Sequence, residues 1–92
     1  MQVQWTQNAL IDTERLYLFL AQFDRDAALS LVARLDAAPA KLVAHPRLGE
    51  RVDAYEAKEV RKLSIGRYVM HYEIVGDRII ILRLWHAREE RR

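Results

Sequence analysis

The sequence predicts an α+β domain in the order β-α-α-β-β-β: a short N-terminal strand, then an antiparallel helical hairpin packed on one face of an antiparallel sheet. Two observations carry this reading. Apolar residues recur at helical spacing in two segments between Ala9 and Leu42, and from Glu59 to His86 the period changes to two. The dipeptide Gly76-Asp77, set between apolar alternations, marks a tight hairpin in the second half. A helix pair laid over a sheet is the two-layer solution that buries both apolar surfaces. Residues 1–92 are expected to form a single domain, because a chain of this length fills one core and not two.

The elements follow in order. Val3 and Trp5 alternate with Gln2 and Gln4, as in a short strand. Thr6 is placed to cap a first helix, in which Ala9, Thr13, Leu16, Tyr17 and Leu20 share one face and Asp12 and Arg15 lie outside it. Leu10, Ile11, Leu18 and Phe19 make that helix apolar beyond one stripe, which marks either extra covering or an interface. Asp24 is placed to cap a second helix with Ala27, Leu31, Leu35, Ala38 and Leu42 inward, and Pro39 predicts a kink or break within it. His45-Pro46-Arg47-Leu48-Gly49 closes the helical half, and a loop runs from Arg47 to about Ala57. Strands are expected at Glu59–Leu63, Tyr68–Val75 and Arg78–His86, with Ser64–Arg67 as a turn.

Composition narrows the function classes. No apolar run approaches the roughly 20 residues of a membrane span, and Met1–Trp5 lacks the features of a secretory signal, so a cytoplasmic protein with no membrane partner is expected. Without cysteine there is no disulfide framework, thiolate nucleophile or thiolate metal site. The net charge is +2, unevenly spread: residues 1–46 hold 4 basic and 5 acidic residues, residues 47–92 hold 11 and 8. Arginine supplies 12 of the 15 basic side chains, which suits an anionic partner, although a +3 half also suits an ordinary soluble surface.

Alternation sorts the sheet's side chains into two sets. Ile80, Leu82 and Leu84 form an apolar set expected to meet the helices, with Leu31 and Leu35 opposite. The open face is then expected to carry His71, Glu73, Arg83 and Trp85, with Glu59 and Arg61 from the neighbouring strand. That group reads equally as a cross-strand charge lattice or as a binding surface. His71 and His86 fall on opposite faces with no cysteine or paired carboxylate at ligand spacing, so no metal is expected. No phosphate loop, serine elbow or dinucleotide fingerprint is present, and no cofactor is expected.

The run from Glu59 to Ile74 (EVRKLSIGRYVMHYEI) and the run from Ile81 to Glu89 (ILRLWHARE) resemble the signatures of the RelE/ParE toxin superfamily of type II toxin–antitoxin systems, the ParE-like branch in particular. Trp5-Thr6-x-x-Ala9 and His45-Pro46-Arg47-Leu48-Gly49-Glu50 match as well, so the resemblance spans nearly the whole chain in order. It implies a helical hairpin on an antiparallel sheet and growth inhibition. It also implies neutralisation by a cognate ParD-like antitoxin and a part in plasmid stabilization.

The superfamily has two activities: ribosome-dependent cleavage of messenger RNA in the RelE-like branch and poisoning of DNA gyrase in the ParE-like branch. By resemblance, Arg61 and Lys62 match the basic pair before the central turn and Arg88 a basic residue after the last strand. The arginine expected after the Gly-x-Tyr motif is Val69 here, and no tyrosine follows Arg88. A nuclease needs a proton carrier and stabilisation of charge on phosphorus. The resemblance therefore favours gyrase inhibition by binding, with Arg61, Lys62, Arg83, Trp85, His86 and Arg88 facing the target and Leu10, Leu18 and Phe19 facing the antitoxin. The alternatives are an RNase acting on ribosome-bound mRNA through Arg61, Arg83, His86, Arg88 and His71, and an antitoxin-binding protein without catalytic activity.

Overall fold

The computed structural model describes residues 1–55 and 57–89. The elements are β1 (Gln2–Trp5), α1 (Gln7–Ala21), α2 (Arg25–Ala44), β2 (Glu50–Arg51), β3 (Glu59–Ile65), β4 (Tyr68–Val75) and β5 (Arg78–His86), closed by a 3-10 turn, Ala87–Glu89. They form an α+β fold with one five-stranded sheet in the order β1-β5-β4-β3-β2. The sheet is mixed, because β1 runs parallel to β5 while the other pairs are antiparallel. The expected loop after Arg47 contains β2, a two-residue strand too short and too charged to show a period.

Both helices start where capping chemistry places them. The Thr6 hydroxyl accepts from the Ala9 N–H at 3.0 Å and the Asp24 carboxylate from the Ala27 N–H at 3.0 Å. Three residues, Gln22 to Asp24, join the helices into a hairpin. Pro39 does not break α2, which continues to Ala44. Proline in a helix costs about 3 kcal/mol, whereas Leu35 and Leu42, both fully buried on either side of it, each contribute roughly 1.5–3 kcal/mol. Packing wins. On this helix Ala28 is buried rather than Ala27.

The core lies between the hairpin and one sheet face, with Leu16, Leu31, Leu35 and Leu42 meeting Met70, Tyr72, Ile79, Ile81 and Leu84. This corrects the face expected for β5. His71 pairs with Arg83 but Tyr72 with Ile81, so Leu82 is an extra residue that nothing opposes. The bulge resets the alternation: Ile79 and Ile81 point to the helices, Ile80 does not, and Leu84 returns inward. Leu82 is only partly buried.

The outer edge of β5 is bare beyond Ile81, where β1 stops, and α1 covers it with side chains. Thr6 N–H donates to the Ile81 carbonyl at 3.0 Å, and the same residue's hydroxyl donates to the bulged Leu82 carbonyl at 2.8 Å. The Leu84 N–H donates to Asp12 Oδ2 at 2.9 Å, and Arg15 donates to the Leu84 carbonyl at 3.3 Å. Asp12, expected outside the helix's inner face, is only 3% exposed. Burial alone would raise its carboxyl, but the bonds from Arg83 and the Leu84 amide, with the charges of Arg83 and Arg15, outweigh burial and hold it below the usual carboxylate range.

At the other edge, Tyr72 ties the end of the helical half to the sheet. Its hydroxyl donates to the Pro46 carbonyl at 2.7 Å and accepts from the Gly49 N–H at 2.9 Å. Gly49 has no room for a side chain: a Cβ there would stand 2.6 Å from the Lys62 carbonyl and 2.8 Å from the Tyr72 hydroxyl.

Three consequences can be measured by urea unfolding. Leu84→Ala should cost roughly 2–5 kcal/mol, and Leu82→Ala clearly less; equal losses would contradict the bulge. Gly49→Ala should cost about 1–3 kcal/mol through overpacking against backbone. Because the folded Asp12 carboxyl is depressed, its stabilisation is complete above the unfolded value of about 3.9 and is lost as pH falls through the lower folded value. Asp12→Asn should therefore be less stable than wild type near neutral pH, with the gap closing below about pH 4. A gap independent of pH would remove the ion pair from the account.

Candidate functional site

The sheet face away from the helices carries a row of polar side chains fixed by strand register. Lys62 on β3 lies opposite His71 on β4, which lies opposite Arg83 on β5. One step along, Ser64, Val69 and Trp85 form the next row. The His71 and Trp85 rings meet edge to face at 4.5 Å, and the Tyr55 ring meets His71 from the other side at 6.3 Å. Val60 and Val69 point to this face yet are buried. The Val52 N–H donates to the Val60 carbonyl at 2.8 Å, continuing the β2–β3 pairing by one residue, and Tyr55 beyond it brings its ring against His71 on this face. The face expected to be open is thus partly covered. Tyr55 had no motif in the sequence to mark it.

Arg83 is held from below. Its Nε donates to Asp12 Oδ2 at 2.7 Å and its Nη2 to Asp12 Oδ1 at 3.2 Å. That pairing raises the already high Arg83 value further. Asp12, the partner of Arg83, was expected outside the helix's inner face. Its spacing of +3 from Ala9 and −4 from Leu16 already put it on the buried stripe, and a buried acid needs a cationic partner. Trp85 Nε1 is buried without a hydrogen-bond partner among the described residues.

The other expected target-facing residues separate from this row. Glu59 and Arg61 are on the helix-side face, not the open one: Arg61 lies opposite the core residue Tyr72. Leu63 and Ile65, which share its parity, pack on the core. The Arg61 guanidinium donates to Glu59 at 2.9 Å and to the Gly49 carbonyl at 2.8 Å, and Arg47 also binds Glu59 at 2.9 Å. Bonds from Arg61 and Arg47 hold the Glu59 carboxyl below its usual range. Arg61 is therefore a strut between strand and loop.

His86 also turns to the helix side, opposite Tyr68, whose ring it meets at 5.0 Å. Its Nδ1 accepts from the Arg88 N–H at 3.0 Å, so a neutral His86 carries its proton on Nε2. Its own N–H donates to Glu89, which binds Arg15 at 2.6 Å. Arg88 is exposed in the closing 3-10 turn, and Glu90, Arg91 and Arg92 lie outside the described residues. Lys62 stands 3.8 Å from Glu50 on the exposed surface. Among the described residues no three metal-ligating side chains come together.

A second surface is apolar. Leu10, Leu18 and Phe19 are exposed on α1 together with Ile11, and Phe23 in the interhelical link is 73% exposed and packs against Phe19 at 5.4 Å. The apolar surface is on α1, whose Asp12 is buried, and the cationic row is carried by β3, β4 and β5. Among the described residues no helix is long and apolar enough to cross a membrane.

Comparison with known proteins accounts for this architecture. Residues 3–91 match the family of the ParE toxin of type II toxin–antitoxin system, parDE. The chain is 32% identical over 84 residues to the toxin RelE1 of Caulobacter vibrioides, covering 87% of this chain and 86% of that protein. A solved structure described as a chromosomal ParDE TA system from P. aeruginosa superposes with a TM-score of 0.73 at 24% identity, covering 94% of this chain and 95% of that one, and so shares the fold. With a family match over nearly its full length, the chain belongs to the ParE toxins of type II toxin–antitoxin systems.

Proposed function

We propose that this toxin inhibits DNA gyrase by binding, through the sheet face that carries Lys62, His71, Arg83 and Trp85, and that a cognate antitoxin neutralises it. The carrying observation is the division of the basic residues between two faces. Arg61 and His86, which a nuclease would bring to the phosphate beside Arg83, sit on the helix side, Arg61 bonded to Glu59 and the Gly49 carbonyl and His86 accepting at Nδ1 from the Arg88 N–H. What shares the target face is a cationic row beside a large ring, the composition of a protein-recognition patch. Arg88, exposed at the end of β5, adds charge at its rim. Gyrase as the target rests on the ParE-like resemblance. The antitoxin is proposed to lay an apolar segment on Leu10, Leu18 and Phe19, whose exposure exceeds what the core requires.

One observation favours a second reading. His71 sits in register between Lys62 and Arg83, so a ribosome-dependent RNase can be written with two cations holding the phosphate and His71 moving the proton. The readings separate by paired assays of gyrase supercoiling and of mRNA cleavage on translating ribosomes. Binding predicts that wild type inhibits supercoiling, and that Trp85→Ala or Lys62→Glu raises the half-inhibiting concentration by about tenfold or more. His71→Gln should then change it little. Ribosome-dependent cleavage abolished by His71→Gln, with supercoiling untouched, would overturn the proposal in favour of the RNase.

A further inference from the structure

Asp12 is the buried acid among the described residues, and the way it holds Arg83 says more than that two elements are tied together. Both carboxylate oxygens are used on one edge of the guanidinium, Oδ2 on Nε and Oδ1 on Nη2. A guanidinium has five N–H donors in a rigid plane. Engaging the Nε edge leaves the second Nη2 donor and an Nη1 donor side by side on the adjacent edge. The exposures agree: the Arg83 side chain is 55% exposed and that of Asp12 only 4%. The anchored edge is inside and the remaining edge is outside, on the strand register that also carries His71 and Lys62.

The carboxylate is itself fixed. It accepts from the Leu84 N–H at 2.9 Å, and Arg15 stands 3.5 Å from Oδ1 while binding Glu89. Arg83, Asp12, Arg15 and Glu89 thus alternate in sign across β5, α1 and the closing turn. An arginine on a long free stem must lose its rotamer freedom when a partner binds, and one already held does not.

We infer that Asp12 is a positioning residue for target recognition: it holds the Nε edge of Arg83 so that the adjacent Nη1/Nη2 edge is presented as a preformed fork for a carboxylate of the protein target. This rests on the sheet face being the target-facing surface. A purely structural Asp12 would only dock α1 on β5, through Leu84, and would not act through the arginine.

The test is a double-mutant cycle of Asp12→Asn and Arg83→Ala. An asparagine oxygen can still accept from the Leu84 N–H, but the amide cannot accept twice from the guanidinium. The readouts are half-inhibition of supercoiling, growth arrest on expression in cells, and hydrogen exchange of the Arg83 Nε–H. Asp12→Asn should speed Nε–H exchange and weaken inhibition about fivefold or more in the Arg83 background. It should have no further effect once Arg83 is alanine. Equal weakening in both backgrounds, or faster Nε–H exchange with inhibition unchanged, would overturn the positioning role. If Arg83→Ala inhibits as well as wild type, the target-facing surface falls and the inference with it. Wild type that arrests growth without touching supercoiling removes gyrase alone, and the cycle is then read on growth arrest.

Discussion

β5 is the strand around which the fold is organised, and it has an unprotected edge. β1 accompanies it only as far as Ile81, yet the strand continues to His86 and its middle residue on that stretch, Leu84, is fully buried. An unpaired N–H or carbonyl in such a place costs about 1–3 kcal/mol. α1 and its cap remove that cost with three side chains, Thr6, Asp12 and Arg15. A helix is doing what a sixth strand would otherwise do. Because the bonds come from side chains and not from a ladder, they also fix how far along β5 the helix sits. The depth of Leu16 in the core and the direction of Arg83 both follow from that placement.

The bulge at Leu82 belongs to the same arrangement. Its extra carbonyl is the one taken by the Thr6 hydroxyl, which simultaneously caps α1. Sequence alternation located β4 and β5 to the residue, because turn glycines bound them, and located both helix caps. It could not see the bulge, since Ile79-Ile80-Ile81-Leu82 is apolar throughout and offers no parity to break. The face of β3 was legible in principle: Leu63 and Ile65 share parity with Glu59 and Arg61. Charge alone suggested solvent for those two residues. The helices do not extend over that end of the sheet. The His45–Gly49 segment covers it, with the Gly49 carbonyl and Arg47 as polar partners for Arg61 and Glu59. A charged residue can therefore sit on the core side where the cover is a loop.

Several basic residues of the second half already have acidic partners. Arg61 and Arg47 are spent on Glu59, Lys62 faces Glu50, and Arg15 from the first half neutralises Glu89. What the sheet face retains is directional: one edge of Arg83, beside Lys62 with its Glu50 partner. Direction matters more than total charge for choosing among partners, since surface ion pairs contribute little to affinity but much to orientation.

The two outer surfaces differ in kind, and α1 takes part in both. Leu10, Leu18 and Phe19 are exposed on it, and its buried Asp12 holds Arg83. Leu10, Leu18 and Phe19 lie on α1, whereas Lys62, Arg83 and Trp85 are carried by β3 and β5, so a partner that covers the first group alone leaves those strands uncovered. Such a partner can silence the sheet face in two ways: its chain continues around the edge of β5, or it shifts α1 so that Asp12 no longer holds Arg83. The first requires a long, wrapping antitoxin and tolerates any rigid α1. The second works only if α1 can move along β5, which would break the bonds to Leu82 and Leu84 together. Those bonds protect buried backbone, so displacing the helix is the costlier route.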